Sequence, residues 1–174
     1  MRALFLDRDG VINVRKMGGY IVSFSEFRFI EGVFEALRIL SCKFQYIFIV
    51  TNQQGIGKGL MTDDDFQKLN ALMLKDIVSN GGKITKVYYC PSLKEQNDPM
   101  RKPSIGMALK AKEEFPLINL EDSFMVGDSM SDMYFGKKAK MHNIFIDNKT
   151  EDDIDNSIIE KTYNSLIQFA LDIK

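Results

Sequence analysis

The chain has 174 residues, of which 45% are hydrophobic and 27% charged, and these values are typical of globular proteins rather than disordered or fibrous ones. Its 23 basic and 24 acidic residues give a net charge of −1, which excludes a global attraction to nucleic acid or to anionic lipid. Two cysteines and one histidine are too few for a disulfide framework or for a four-ligand Cys/His zinc site.

These numbers predict a single domain over residues 1–174, because a chain of this length buries enough apolar surface to fold without disulfides or metals. The first apolar run, residues 3–6, is too short for a signal peptide, and no run approaches the roughly 20 apolar residues of a membrane span. We therefore expect a monomeric cytoplasmic protein with no membrane partner.

Short apolar runs alternate along the chain with segments whose apolar residues recur at helical spacing. Five runs suit buried parallel strands, and they span residues 3–6, 46–50, 84–89, 123–126 and 143–146. Helices are predicted at residues 33–40, 62–80, 104–115 and 163–170. We expect Thr62 to cap the second helix and the glycines that follow Asn80 to end it. The alternation predicts a three-layer α/β fold, with a Rossmann-like parallel sheet, helices on both faces and no separate cap domain.

Two carboxylates follow the first run, in the sequence Asp7-Arg8-Asp9-Gly10. Ligands of such folds bind beyond the carboxyl ends of the strands, so both acids are expected to face one cavity. An ordinary turn is the alternative, because Asp and Gly are common wherever a strand gives way to a loop.

The second run ends in a polar, glycine-rich segment that begins Thr51-Asn52-Gln53. Its hydroxyl, amides and exposed backbone N–H groups suit an anion such as phosphate. The glycines do not match the dinucleotide spacing G-x-G-x-x-G, and no G-K-[ST] follows as a nucleotide P-loop requires. A flexible loop is the alternative for this segment.

Two further clusters complete the set. Arg101-Lys102-Pro103 precedes a predicted helix, and the fourth run ends in Gly127-Asp128, with Asp132 four residues later. A basic pair is often a solvated surface feature, and a carboxylate in the first turn of a helix often has a structural role. The order and placement of all four clusters together indicate one functional site.

The four clusters resemble the four motifs of haloacid dehalogenase-type phosphatases, and the resemblance covers most of the chain. Within that superfamily, the strings FLDRDGVIN, VTNQQGIGKG, YYCP and RKP resemble the D-glycero-D-manno-heptose 1,7-bisphosphate phosphatases and the related histidinol-phosphate phosphatases. The resemblance implies a Mg²⁺-dependent phosphomonoesterase with a haloacid dehalogenase-like fold that acts on a small phosphorylated metabolite. The heptose activity would remove the 7-phosphate and would serve the synthesis of surface polysaccharide.

The resemblance also implies a role for each matching residue. Asp7 would be the nucleophile that forms an aspartyl-phosphate, and Asp9 would be the general acid and then the general base. Thr51 and Lys102 would bind the transferring phosphoryl group. The Mg²⁺ ligands would be Asp7, the backbone carbonyl of Asp9 and Asp128.

Other residues would support the site or contact the substrate. Asp132 would orient Lys102 or the metal shell. The residues that match substrate-contacting positions of the family are Arg15, Tyr20, Asn52, Gln53 and Arg101. Loops at residues 15–26 and 90–100 would cover the site.

One loop departs from the pattern of these relatives. They usually have a zinc loop that reads Cys-x-His and then Cys-x-Cys directly before Arg-Lys-Pro. Here Cys90 is followed by Ser92, and Asp98 and Met100 occupy the last two ligand positions. We therefore predict that the chain binds no structural zinc, which leaves its exact substrate open.

Several alternatives stay open at this point. A histidinol-phosphate phosphatase would belong to amino-acid synthesis. A polynucleotide 3′-phosphatase shares the Asp-x-Asp-Gly and Thr-Asn-Gln motifs, but the near-neutral charge disfavours a nucleic-acid partner. A haloacid dehalogenase is disfavoured by Asp9, a phosphatase feature. From another class, the chain would be a noncatalytic module that binds a phospholigand.

Overall fold

The computed structural model describes residues 1–149 and 153–173, and its centre is one six-stranded parallel sheet. The strands are β1 (Ala3–Leu6), β2 (Tyr46–Asn52), β3 (Lys86–Cys90), β4 (Phe124–Gly127), β5 (His142–Ile146) and β6 (Lys161–Tyr163). Their order across the sheet is β3-β2-β1-β4-β5-β6. The predicted α/β class and parallel sheet are confirmed.

Helices cover the sheet between the strands. They are α1 (Val33–Lys43), α2 (Gln54–Gly57), α3 (Asp63–Ser79), α4 (Gly106–Glu114), α5 (Met130–Lys138) and α6 (Leu166–Asp172), with 3₁₀ turns at Lys94–Gln96 and Asn156–Ile158. Among the described residues, no helix has the length and apolar character needed to cross a membrane.

The prediction of a helix over residues 163–170 was wrong at its start. Tyr163 ends β6, which pairs with β5, and the helix begins only at Leu166. The three residues of β6 include Lys161 and Thr162, both exposed, so this edge strand has no buried apolar run in the sequence.

Capping at both ends of α3 agrees with the prediction. The Thr62 hydroxyl accepts a hydrogen bond from the Asp65 N–H at 3.1 Å, and the Asp65 carboxylate accepts one from the Thr62 N–H at 3.2 Å. This capping box satisfies two free donors of the first turn. At the other end the Gly82 N–H bonds to the Ile77 carbonyl at 3.0 Å and closes the helix.

Alternate side chains of β1 pack into two separate cores. Leu4 and Leu6 face the core under α1, α3 and α6, which we call the α1 core. Ala3 and Phe5 face the core under α4 and α5, which we call the α4 core. Because successive residues of a strand point to opposite faces, the four-residue strand is buried on both sides. Its carboxyl end is therefore held rigidly.

The order of the strands determines where a ligand can bind. From β1 the chain builds outwards through β2 to β3, and it then returns to place β4 on the other side of β1. A doubly wound sheet opens a crevice at such a reversal, outside the carboxyl ends of the strands. The segments after β1, β2 and β4 meet there.

Candidate active site

A cavity of about 290 Å³ lies at this crevice. Most residues predicted for the site line it, and these are Asp7, Asp9, Arg15, Tyr20, Thr51, Asn52, Gln53, Arg101, Lys102 and Asp128. Asp132 is fully buried and contacts Lys102 rather than the open space. The four sequence clusters thus come together at one place, although 95 residues separate Asp7 from Lys102, which it contacts.

Lys102 is a buried cation of the site. Its ammonium group lies 2.7 Å from Asp7 Oδ1, 2.5 Å from Asp132 Oδ1 and 2.7 Å from the Val50 carbonyl oxygen. Burial alone lowers the pKa of Lys102, but the charges of Asp132 and Asp7 outweigh it and hold the pKa above its usual value. The side chain is therefore a fixed positive charge beside Asp7.

Asp132 connects this cation to the start of α5. Its second oxygen, Oδ2, accepts hydrogen bonds from the Ser129 backbone N–H at 3.1 Å and the Ser129 hydroxyl at 2.7 Å. Both carboxylate oxygens are thus occupied by the protein. The geometry suits the orientation of Lys102 better than the coordination of a metal.

Asp7 and Asp128 form the acidic centre of the cavity. With Asp132, they offer oxygens that lie within 4.8 Å of one another. Burial and then the charge of Asp132 raise the pKa of Asp7 to about 8 and that of Asp128 to about 6. Burial and the neighbouring negative charges thus favour the protonated forms of both carboxylates, and a bound cation would offset this.

The donor set fits a hard divalent cation such as Mg²⁺. Among the described residues, Asp128 Oδ1 is buried and has no hydrogen-bond partner, whereas Oδ2 accepts from Asn148 Nδ2 at 2.9 Å. Oxygen ligands of this kind are what Mg²⁺ prefers. Asp7 and Asp128, with the main chain at Asp9, are the residues that could hold it.

Gly10 leaves the room that Asp128 occupies. Its φ is +96°, and a Cβ at this position would lie 1.9 Å from Asp128 Oδ2. Any other residue would therefore displace the carboxylate and strain the turn. This requirement explains why glycine follows the second acid.

Asp9 sits in a network of donors that the sequence analysis largely missed. Arg8 Nη2 lies 2.9 Å from both carboxylate oxygens, Asn13 Nδ2 donates to Oδ1 at 2.9 Å, and Gln53 Nε2 donates to Oδ2 at 3.0 Å. Burial raises the pKa of Asp9, but Arg8 and the two amides outweigh it and hold the pKa below its usual value. Asp9 is therefore ionised in the free protein.

Gln53 and Asn52, both predicted to contact substrate, also form hydrogen bonds with other residues of the site. The Gln53 amide donates to the Thr51 hydroxyl at 2.7 Å as well as to Asp9. The Asn52 side chain accepts from the Lys102 N–H and donates to the Lys102 carbonyl, both at 3.0 Å. Asn52 thus fixes the backbone of the buried lysine, and its contact with substrate stays a prediction.

The rim of the cavity is basic and aromatic. Arg15 is 39% exposed and lies 3.4 Å from Asp128. The Tyr20 hydroxyl accepts from Gln54 at 2.5 Å, and the Lys58 ammonium lies 5.1 Å from the centre of the Tyr20 ring. The loop at residues 90–100 was predicted to cover the site, but it is the residue directly after it, Arg101, that lines the cavity. A substrate with a second anionic group would meet complementary charge at this rim.

Comparison with known families identifies the sequence pattern. A family model described as polynucleotide kinase 3 phosphatase matches residues 3–171. The D-glycero-alpha-D-manno-heptose-1,7-bisphosphate 7-phosphatase of Campylobacter jejuni is 42% identical over 148 residues, which are 85% of this chain and 83% of that protein. The D-glycero-beta-D-manno-heptose-1,7-bisphosphate 7-phosphatase of Pasteurella multocida is 39% identical over 148 residues, covering 82% of this chain and 79% of that protein.

Solved structures give the same fold. The crystal structure of D,D-heptose 1,7-bisphosphate phosphatase from B. bronchiseptica, complexed with magnesium and phosphate, superposes with a TM-score of 0.87 at 21% identity. It covers 98% of this chain and 97% of that one. A HAD-like phosphatase from Mesorhizobium loti has a TM-score of 0.81 at 28% identity, over 98% of this chain and 84% of that one.

Proposed function

From the premise that this chain belongs to the polynucleotide kinase 3 phosphatase family of haloacid dehalogenase-type phosphatases, we propose that it removes the 7-phosphate of a D-glycero-D-manno-heptose 1,7-bisphosphate. The activity class is that of the family, a phosphomonoester hydrolase. The observation that supports catalysis most directly is Lys102 Nζ at 2.7 Å from Asp7 Oδ1, in a cavity that also holds Asp9 and Asp128.

In the first step, a carboxylate oxygen of Asp7 attacks phosphorus and the bond from phosphorus to the sugar oxygen breaks. Lys102 holds Asp7 in place and neutralises charge that builds up on the phosphoryl oxygens. Asp9 gives a proton to the departing sugar oxygen. Because Asp9 is ionised in the free protein, it must take up this proton as the dianionic phosphate arrives and raises its pKa.

In the second step, water attacks the phosphorus of the aspartyl-phosphate. Asp9, now a carboxylate again, accepts the proton of that water, inorganic phosphate leaves and Asp7 is restored. The donors from Arg8, Asn13 and Gln53 orient Asp9 and keep it ionised, which is the form that can accept this proton.

Mg²⁺ would be held by Asp7, the Asp9 carbonyl and Asp128, and when bound it supplies positive charge for the phosphoryl oxygens and for the two crowded carboxylates. The unpartnered Asp128 Oδ1 and the raised pKa values of Asp7 and Asp128 support this assignment. Thr51 lies at the cavity wall, where its hydroxyl is available to a phosphoryl oxygen.

The heptose is proposed because several relatives with this activity align over most of the chain. They include enzymes for both anomers, the alpha form in Campylobacter jejuni and the beta form in Pasteurella multocida. The basic rim formed by Arg15, Lys16 and Arg101 suits a substrate with a second phosphate. We further propose that the enzyme works as a cytoplasmic monomer on this small metabolite, with no nucleic-acid partner.

The test is phosphate release with Mg²⁺ and with EDTA, from both heptose 1,7-bisphosphate anomers, histidinol phosphate, other sugar phosphates and a 3′-phosphorylated oligonucleotide. We expect metal-dependent turnover that is fastest on one heptose bisphosphate. Asp7→Asn should lose roughly three or more orders of magnitude in kcat, whereas Asp64→Asn, at an exposed position on α3, should not. Wild-type turnover by Asp7→Asn, with deamidation excluded by mass spectrometry, would contradict the mechanism.

A polynucleotide 3′-phosphatase is the second candidate, because the matching family model has that description. Turnover of the oligonucleotide with none on sugar phosphates would favour it. Tight binding of a sugar phosphate without phosphate release in Mg²⁺ would instead favour a binding module.

A further inference from the structure

The segment after β3, residues 91–100, leads directly into Arg101 at the wall of the cavity. This is where the resembling phosphatases have their zinc loop. At its four ligand positions this chain has Cys90, Ser92, Asp98 and Met100. A structural zinc site needs four ligands, usually thiolate, imidazole or carboxylate, in tetrahedral arrangement.

These four residues do not fit zinc. Cys90 is the one thiol among them; it is fully buried, and burial raises its pKa, which disfavours the thiolate that zinc requires. The Met100 side chain is a neutral thioether and packs against the α4 core. Ser92 offers only a hydroxyl. One carboxylate, that of Asp98, remains as a metal-binding group, and it is already engaged.

The Asp98 carboxylate accepts hydrogen bonds from other residues of this segment. The Ser92 hydroxyl donates to Asp98 Oδ2, and the Met100 backbone N–H donates to Asp98 Oδ1 at 2.8 Å. Ser92 and Met100, at two of the positions that would hold a cation in a zinc loop, therefore bind an anion here.

This arrangement reaches the active site through Arg101. The Arg101 guanidinium donates from Nη1 to the Ser92 carbonyl at 2.9 Å, and the Arg101 N–H donates to the Asp98 carbonyl at 2.9 Å. Ser92 thus binds Asp98 through its side chain and Arg101 through its backbone. The next residue, Lys102, has its backbone fixed by Asn52.

We propose that Asp98 is a positioning residue, whose carboxylate binds the Ser92 hydroxyl and the Met100 backbone N–H and thereby holds Arg101 at the wall of the substrate cavity without a metal. The loop is then closed by hydrogen bonds to one half-buried carboxylate, and bonds to a charged group are stronger than bonds between neutral groups. The effect on catalysis rests on the proposed function, whereas the effect on the loop does not.

The first test is Asp98→Asn, which keeps the size of the side chain but replaces one acceptor oxygen with an amide donor. Hydrogen exchange at the Met100 amide, measured without substrate, should become faster. The KM for the preferred phosphomonoester should rise about tenfold, the loss expected for one charged hydrogen bond to substrate, with kcat nearly unchanged. The matched control is Glu95→Gln, which removes an exposed charge from the same segment.

A double-mutant cycle with Arg101→Gln distinguishes positioning from general stabilisation of the fold. If Asp98 acts through Arg101, then Asp98→Asn should raise KM little further when Arg101 is already lost. Ser92→Ala keeps the carboxylate and removes one donor, so it should change exchange and KM in the same direction by a smaller factor. This variant tests the proposal if Asp98→Asn does not fold.

Three results would overturn the proposal. One is wild-type exchange at Met100 and wild-type KM in both Asp98→Asn and Ser92→Ala. Another is a double variant in which Asp98→Asn raises KM by the same factor as it does when Arg101 is present. The third is stoichiometric zinc in the purified wild-type protein. Failure of the heptose assignment would appear differently, as a change in the preferred substrate while the exchange result at Met100 stayed the same.

Discussion

Arg8 Nη2 lies 2.9 Å from both oxygens of Asp9, so one nitrogen of a buried guanidinium holds the whole carboxylate. Arg8 is only 1% exposed, and its Nε and Nη1 have no hydrogen-bond partner among the described residues. The rings of Phe27 and Phe66 lie 5.9 and 5.7 Å from its guanidinium carbon. Among the described residues, Asp9 is the hydrogen-bond partner of the Arg8 side chain, so we expect Arg8 to orient the proposed catalytic acid.

Arg8→Met should lower kcat on alkyl phosphates by roughly tenfold to a hundredfold, a part of what general acid–base catalysis contributes, with little change in KM. The loss should be smaller on nitrophenyl phosphate, because nitrophenolate leaves without a proton. Steady-state kinetics on both substrates measure this. Arg38→Met, at an exposed arginine of α1, is the control, and equal losses on the two substrates would refute the orienting role.

The pair formed by Lys102 and Asp132 predicts a stability effect. Lys102→Met leaves Asp132 buried without its partner, so the free energy of unfolding should fall by about 3–5 kcal/mol. Adding Asp132→Asn should restore part of that loss, because the charge is gone while the amide oxygen can still cap α5. Urea unfolding of the four proteins gives the coupling energy.

The control for this cycle is Glu121→Gln, which breaks the exposed pair with Lys140. Exposed ion pairs contribute little, so its unfolding midpoint should stay close to that of the wild type. Additive losses in Lys102→Met and Asp132→Asn would show that the two buried charges do not stabilise each other.

Stability without metal should depend on pH through Asp7 and Asp128. Their folded pKa values of about 8 and about 6 lie above the ordinary 3.8, so the folded state binds protons more tightly than the unfolded state. Protonation of these two groups therefore stabilises the folded state fully at pH values below the ordinary pKa of 3.8. This stabilisation is lost as the pH rises through about 6, for Asp128, and then about 8, for Asp7.

Mg²⁺ competes with the protons on Asp7 and Asp128. The rise in Tm that Mg²⁺ causes should therefore be small at about pH 5 and large at about pH 9. Thermal scans with Mg²⁺ and with EDTA across this range measure it. Asp128→Asn should raise the Tm of the metal-free protein at high pH and abolish the Mg²⁺ effect. A Mg²⁺ effect that does not change with pH would contradict the assignment of these carboxylates.

Tyr20→Phe tests the rim of the cavity. The change removes the hydroxyl that accepts from Gln54 but keeps the ring beside Lys58, so the loop should lose one anchor. We expect KM to rise about threefold to tenfold with kcat preserved, the loss expected for one hydrogen bond. Tyr134→Phe, at an exposed tyrosine of α5, should leave KM unchanged. A fall in kcat alone would show that the rim acts on chemistry rather than on binding.

Prediction from sequence was most successful where local patterns specify structure. Residues 3–6 were predicted as a buried strand and form β1, and Thr62 was predicted to cap α3 and does. Both depend on apolar runs and capping residues within a few positions of each other. β6 was missed because an exposed three-residue edge strand has no such pattern.

The sequence by itself determined the fold class and the set of acids, amides and cations at the strand ends, because strand order places those ends together. Only the tertiary structure decided the partner of each side chain. Asn52 binds the Lys102 backbone at the cavity wall, and Arg8, which lies between two acids, pairs with Asp9 and with no other acid among the described residues. The first contact joins residues 50 positions apart, and the second depends on which of two neighbouring acids the arginine side chain turns towards, so no local pattern contains either of them.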